Sequence, residues 1–322
     1  MTISVCMIVK NEESNLAECL ACLKEIADEI IIVDTGSTDR TKKIAAEYTD
    51  QIFDFIWTND FAAARNYAFS KATKDYIYSA DADERLDAEN QKRFLLLKEA
   101  LLPEIEIVQM YYCNQLENNT IYSYDKEYRP KLYKRIRQFV WQERVHEAVA
   151  LQPVVFDSDI EIIHKPSAGH AKRDLQVFAT MLKNGESLSQ RLREIYAKEL
   201  YIAGDADDLH AAENFLIKWC EEAKDVDALK RACCILAKYY RIQKNDAAFM
   251  KYALKVVALN GCSEMCYEIG EYYFDKKDYP EAAMWYYNAI NETEALLDLA
   301  CKETYAKNRL QKCGVCDLTE IE

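Results

Sequence analysis

Short apolar runs alternate with amphipathic stretches through the first hundred residues of this chain. Strand patterns fall at 2–9, 29–33, 51–56 and 75–80, and helix patterns at 14–26, 39–48, 61–72 and 88–101. That alternation has few solutions. Parallel strands need crossover connections, so the pattern predicts an α/β unit with a mostly parallel, doubly wound sheet covered by helices. After Pro103 the pattern changes: apolar runs at 105–113 and 121–124 flank an Asn118-Asn119 turn, and runs at 131–133 and 160–163 follow. These predict antiparallel strands added to the parallel sheet, giving a mixed sheet.

Past 165–171 the sequence reads as helix almost to its end, with Pro280 its only proline beyond the boundary. The shift divides the chain into an α/β domain, 1–165, and an all-α domain, 166–322. Within the second, Cys266, Ile269, Gly270, Tyr273, Ala282, Tyr286 and Ala289 have the spacing of small and aromatic residues in a tetratricopeptide repeat. Ala237, Tyr240, Phe249 and Ala253 form a weaker copy 33 residues earlier, and Ala197 to Phe215 a third. Stacked helical hairpins, or an irregular helical bundle, satisfy this pattern.

A chain of 322 residues with a net charge of −14 and no basic stripe is a poor partner for nucleic acid, whose phosphates demand clustered Lys and Arg. Met1 leads directly into a strand pattern, and no run approaches the roughly 18 apolar residues of a membrane span. A soluble, cytoplasmic protein is expected. Most of the twelve cysteines lie in helical patterns beside apolar neighbours, which suits reduced core thiols. Cys262 and Cys266 share a helix face as packed small residues, and Cys313 and Cys316 have half a zinc spacing without a second half.

Chemistry concentrates at three strand ends, where open α/β sheets bind ligands. The first strand runs into Lys10-Asn11-Glu12. The second delivers Asp34-Thr35-Gly36-Ser37-Thr38-Asp39, in which Gly36 permits a sharp turn and Ser37 or Thr38 can cap the next helix. The fourth ends in Ala80-Asp81-Ala82-Asp83-Glu84. Carboxylates at i and i+2 on a turn leaving a strand suit either a solvated acidic turn or one hard divalent cation shared with substrate phosphates.

Together with Ala64-Arg65-Asn66 and Trp141-Gln142-Glu143-Arg144-Val145-His146-Glu147, these segments resemble the family 2 glycosyltransferases of GT-A fold. Within that family the chain is similar to the peptide S- and O-glycosyltransferase branch, which has the sublancin S-glycosyltransferase among its members and carries a helical, repeat-like C-terminal part. The resemblance implies a metal-dependent, inverting hexosyltransferase using a UDP-sugar. Val9, Lys10, Asn11, Asp34, Gly36, Arg65, Asn66, Ala80, Asp81 and Ala82 would then bind the nucleotide-sugar. Asp34 would accept from the base, and Arg65 would reach the diphosphate with its fixed fork of donors. Asp83 would ligate Mn²⁺ or Mg²⁺, with Asp81 and His164 as further ligands, while His170 is a weaker candidate and Glu84 a salt-bridge partner.

Glu147 is the implied general base and His146 its orienting partner; pairing of Glu147 with Arg144 or Lys131 is the competing role. Trp57, Trp141 and Tyr133 offer either a stacking face for a sugar or core packing. The implied acceptor is a Ser, Thr or Cys side chain of a peptide or protein held by the helical domain, through which a homodimer is also expected. Two other readings remain open: transfer to a cell-surface polysaccharide or lipid precursor, and a non-catalytic scaffold that senses nucleotide-sugar.

Overall fold

The computed structural model describes residues 1–114, 126–149, 153–165 and 170–314, which divide into two compact units, Met1–His170 and Ala171–Glu322. The division falls five residues beyond the expected 165/166 boundary. The expected Asn118-Asn119 turn, the strand at 121–124 and Cys316 lie outside the described residues.

In the first unit, β1 (Ile3–Val9), β2 (Glu29–Asp34), β3 (Ile52–Asp54) and β4 (Tyr76–Ala80) alternate with α1 (Leu16–Leu23), α2 (Thr41–Ala45) and α3 (Phe61–Lys71). A two-residue β5 (Glu84–Arg85) and α4 (Ala88–Ala100) follow, then β6 (Ile107–Asn114), β7 (Lys126–Lys134), β8 (Trp141–Gln142), β9 (Ala148–Val149) and β10 (Val155–His164). The main sheet has the order β3-β2-β1-β4-β7-β6-β10-β5. Pairing is parallel from β3 through β4 and between β6 and β10, whereas β7 runs antiparallel to both neighbours and β5 antiparallel to β10. The sheet is thus mixed and mostly parallel. β5, β8 and β9 are too short to show a periodicity.

The period-two alternation of each strand sends side chains to two separate cores. Val5, Met7, Tyr76 and Tyr78 pack with Leu16, Leu20 and Phe94 on the α1/α4 face. Cys6, Ile31, Val33 and Ile77 pack with Ala62, Ala68 and Phe69 on the α3 face. Alanines let α3 lie close to the strands, and its start is fixed by Asp60, whose side chain accepts the Ala63 N–H at 2.8 Å.

At the opposite end of the sheet, Glu29 accepts from Ser4 Oγ, from Thr73 N and Oγ1 at 2.9 Å and from Gln51 Nε2 at 3.3 Å, tying three segments to the start of β2. Burial alone would raise its carboxyl, but these hydrogen bonds outweigh it and hold the group below its usual 4.5. A carboxyl depressed in the folded chain contributes stability above that usual value and loses it as the pH falls through the lower folded value. Acid unfolding followed by circular dichroism should therefore be less steep below about pH 4.5 for Glu29→Gln; an unaltered acid limb counts against this role.

The second unit comprises α5 (His170–Lys183), α6 (Gln190–Ala203), α7 (Ala206–Glu222), α8 (Val226–Ile242), α9 (Asp246–Val257), α10 (Ser263–Asp275), α11 (Tyr279–Asn291) and α12 (Ala306–Lys312). The 33-residue spacing is also a structural repeat. Lys244 and Lys277 both adopt left-handed backbone, at φ 56° and 63°. The following Asn245 and Asp278 each return a backbone N–H to the preceding helix, to Tyr240 O and Tyr273 O, and each caps the next helix. Their hairpins, α8–α9 and α10–α11, bury the repeat residues Ala237, Phe249 and Ala253 and Ala282, Tyr286 and Ala289. The α6–α7 turn differs, passing through Gly204 to an Asp205–Asp208 capping box.

Gly270 exists for the Tyr286 ring: a Cβ there would stand 2.5 Å from Tyr286 Cε1. Although alanine favours helix, Gly270→Ala should destabilise the helical unit by about 1–3 kcal/mol through overpacking. Urea unfolding measures this, and a variant as stable as the natural chain contradicts the close approach.

Candidate active site

β1, β2 and β4 are neighbours and parallel, so the polar segments that leave them share one edge of the sheet. The first two are laced together. Asn11, at φ 55°, donates its N–H to Ser37 Oγ at 2.9 Å and accepts the Thr38 N–H at 2.8 Å, while Glu12 N donates to Thr41 Oγ1 at 2.7 Å. Gly36, at φ 102°, is exposed at the turn. Asp34 is buried; its Oδ2 accepts from Gly36 N and Ser37 N in an Asx turn, and its Oδ1 is buried with no hydrogen-bond partner among the described residues. An unpaired buried acceptor costs about 1–3 kcal/mol, which a ligand N–H would recover. Val9 is buried beneath this rim, and Lys10 is exposed on it.

Arg65 is the hub of the β4 end. Its side chain, 13% exposed, donates from Nη1 to Ser79 Oγ at 2.9 Å, from Nη2 to Asp81 Oδ1 at 3.0 Å and from Nε to Glu147 Oε1, and lies 5.0 Å over the Trp141 ring. Arg65 is thus a largely buried, fully partnered guanidinium and not an exposed helix arginine. Glu147 pairs with Arg65, not with Arg144 or Lys131: Arg144 faces Asp60 at 3.9 Å and Lys131 faces Glu84. Asn66, the next residue on α3, both donates to Trp141 O and accepts from Trp141 N. The Phe61 N–H donates to Arg144 O, so α3 holds the segment leading to His146 and Glu147 at Trp141 and at Arg144. His146 itself has left-handed backbone at φ 48°, a strained state of the kind that gathers at functional turns.

The acidic turn is held from several sides. Arg85 donates to the carbonyls of Ala82, Glu84 and Asn15, and the Lys165 N–H donates to Asp83 O. Antiparallel pairing sets His164 opposite Glu84, which brings His164 Nε2 to 3.2 Å from Asp83 Oδ2. Burial raises the Asp81 carboxyl, but Arg65 and then Lys131 outweigh it and hold it well below the usual carboxylate range. For Glu84, burial raises the carboxyl, against the pull of the Lys131 ammonium 2.6 Å away and with the push of the Asp81 and Asp83 charges.

Of the three expected metal ligands, Asp83 and His164 meet, while Asp81 turns to Arg65 and Lys131. A carboxylate beside an imidazole suits Mn²⁺ or Mg²⁺ completed by phosphate oxygens, so the pair fits such an ion. Ala80 and Ala82 are buried and shape the turn through backbone only. Trp141 and Tyr133 are not a sugar platform, because both are packed on Phe69 in the core, Trp141 edge to face and Tyr133 tilted. Trp57 packs on Phe61 and donates to Asn59. His170 begins α5. Ser79 was missed from the sequence, and Lys131 was considered only as a partner for Glu147, whereas it pairs with Glu84. A lysine beside the apolar pair Leu132-Tyr133 carries no local sign of whether it is buried.

Residues 4–163 match the family model described as Glycosyl transferase family 2. The SPbeta prophage-derived glycosyltransferase SunS of Bacillus subtilis is 26% identical over 262 residues, covering 76% of this chain and 60% of that protein. A TPR repeat-containing protein of Synechococcus elongatus is 49% identical over 84 residues, 26% of this chain and 21% of that protein. This chain thus spans less than two thirds of either relative. The solved structure of S. aureus TarS 1-349 in complex with UDP-GlcNAc superposes with a TM-score of 0.44 and 14% identity, over 81% of this chain and 93% of that one.

Removing Arg65 leaves the largely buried Glu147 without its cation and takes from Asp81 the nearer of its two. Arg65→Leu should cost about 3–5 kcal/mol of stability in the first unit, the scale of breaking a buried pair. Denaturant unfolding checks this, and a loss below about 1 kcal/mol, the value of a surface ion pair, contradicts the hub.

Proposed function

We propose, from the premise that residues 4–163 of this chain are a glycosyl transferase family 2 domain, that the protein transfers a hexose or N-acetylhexosamine from a UDP-sugar to a Ser, Thr or Cys side chain of a peptide or protein, with inversion at the transferred carbon. One observation carries the reading. One edge of the sheet gathers an unsatisfied buried acceptor at Asp34 on β2, the α3 guanidinium of Arg65 fixed by three acceptors, and Asp83 after β4 paired with His164 at the end of β10. β2 and β4 lie two strand spacings apart, roughly 10 Å, which suits a nucleoside at one end and a diphosphate at the other.

Asp34 Oδ1 accepts the ring N–H of the base, and Val9, Lys10, Asn11 and Gly36 line the nucleoside with backbone. Arg65 points its charge at the diphosphate while Asp81 fixes its orientation. Asp83 and His164 hold the divalent cation, Mn²⁺ or Mg²⁺, which when bound neutralises charge on the leaving diphosphate. Glu147 has Oε1 committed to Arg65, so Oε2 takes the acceptor's proton as the acceptor atom attacks the sugar from the side opposite the diphosphate. His146 sets the backbone direction of that carboxylate. The helical hairpins of the second unit support a peptide acceptor, since stacked repeats suit extended chains. No helix among the described residues is long and apolar enough to cross a membrane.

A thermal-shift panel of UDP-glucose, UDP-N-acetylglucosamine and other nucleotide-sugars, with and without Mn²⁺, tests the donor. The binding ligand should stabilise the natural chain by about 2.7 kcal/mol at a hundredfold excess over its dissociation constant. Asp83→Asn should lose the Mn²⁺-dependent part. A panel without any shift overturns the reading. For the acceptor, Glu147→Gln should slow transfer to a serine peptide more than to the matched cysteine peptide, because a thiol is already partly ionised near neutral pH; equal losses contradict Glu147 as the base.

A further inference from the structure

Lys131 has no place in the chemistry just described, yet it is buried in the middle of the site. Its side chain is 7% exposed, extends from β7 and ends 2.6 Å from Glu84 Oε1 and 3.8 Å from Asp81 Oδ2. The rings of Tyr78 and Tyr112 lie within 6 Å of its ammonium, so the charge is screened from water on those sides. Glu84 in turn reaches from Oε2 to the backbone N–H of Asp81 at 3.3 Å. Lysine is rarely buried to this degree unless it is paired. Here it closes a loop of contacts from β7, through Glu84, to the first residue of the acidic turn.

Resting on the donor-site reading above, we propose that Lys131 is a positioning residue that acts as a resident monovalent cation. It occupies Glu84 and the second oxygen of Asp81, so that a divalent cation is left with Asp83 and His164 and is held firmly only when a diphosphate completes its shell. The physical case is charge balance. Asp81, Asp83 and Glu84 lie within four residues, and without an internal cation their combined field would draw a divalent ion into the turn whether or not nucleotide was present. With Lys131 in place one oxygen of Asp81 faces Arg65 and the other faces Lys131, while Glu84 is engaged through both oxygens. Asp83 is then the carboxylate of the turn directed to His164.

Calorimetric titration of the full chain with Mn²⁺ alone, with UDP alone and with both tests this. The natural chain should bind Mn²⁺ weakly by itself and substantially more tightly with UDP present. Lys131→Met should bind Mn²⁺ alone about tenfold or more tightly and lose most of the gain that UDP confers, the scale expected for deleting one unit charge from the acidic turn. Lys131→Arg should stay within about threefold of the natural chain, and Lys131→Met combined with Glu84→Gln should return the Mn²⁺ affinity toward the natural value, since the carboxylate that Lys131 balances is gone. If Lys131→Met fails to fold, the double variant compared with Glu84→Gln alone carries the test. Unchanged Mn²⁺ affinity on removing Lys131, or no recovery in the double variant, overturns the proposal. A natural chain that binds Mn²⁺ but not UDP overturns the donor reading instead, and the Mn²⁺-only comparison still judges Lys131.

Discussion

Carboxylates gathered at a buried edge must be balanced by cations from inside the fold, and that constraint governs the first unit. Asp81, Asp83, Glu84 and Glu147 occupy one end of the sheet, with Asp83 and Glu84 buried. Two internal cations make this tolerable. Arg65 comes from α3 and Lys131 from β7, and each touches more than one acid, so neither a helix nor a strand can shift without exposing a charge to a poorly solvating interior.

The topology follows from the need to bring those cations in. β7 inserts antiparallel beside β4, which carries Lys131 across the acidic turn, and the 3₁₀ turn at Arg135–Arg137 then leads the chain back toward Trp141 and the α3 face. β10 returns parallel to β6 and ends against the short β5, and that one antiparallel pairing aligns His164 with the turn. Hydrogen bonds to backbone carbonyls, from the Arg85 guanidinium and from the Lys165 N–H, complete the clamp. A turn held at so many points presents its side chains at fixed positions before any ligand arrives, so little ordering entropy remains to oppose binding.

The second unit uses repetition where the first uses charge balance. A hairpin with a left-handed residue at its turn, a cap immediately after it and an alanine-rich contact between its helices occurs twice at the same 33-residue interval. Polar contacts add to this frame: Glu268 on α10 accepts from Tyr201 on α6 and from Arg241 on α8. Glu264 satisfies the backbone N–H groups of Leu296, Leu297 and Asp298 with one oxygen. Such links join helices that are distant in sequence within one stack.

Much of this was legible in the chain of residues alone. The strand and helix alternation, the polar segments at three strand ends, the Ala64-Arg65-Asn66 and Val145-His146-Glu147 motifs and the repeat spacing are local patterns, and period two or 3.6 reports local structure directly. Partnership was not legible. That Glu147 takes Arg65 in place of Arg144 or Lys131, that Asp81 faces cations and Asp83 a histidine, and that Trp141 and Tyr133 belong to the core all depend on pairings between residues far apart in the chain. Two-residue strands such as β5 carry no periodicity to read, and a lone lysine beside two apolar residues looks the same whether it reaches solvent or a buried acid. Sequence determined which chemical groups reach the edge of the sheet. Only the tertiary structure decided which of them meet, because opposite charges find one another across strand pairings that no local pattern encodes.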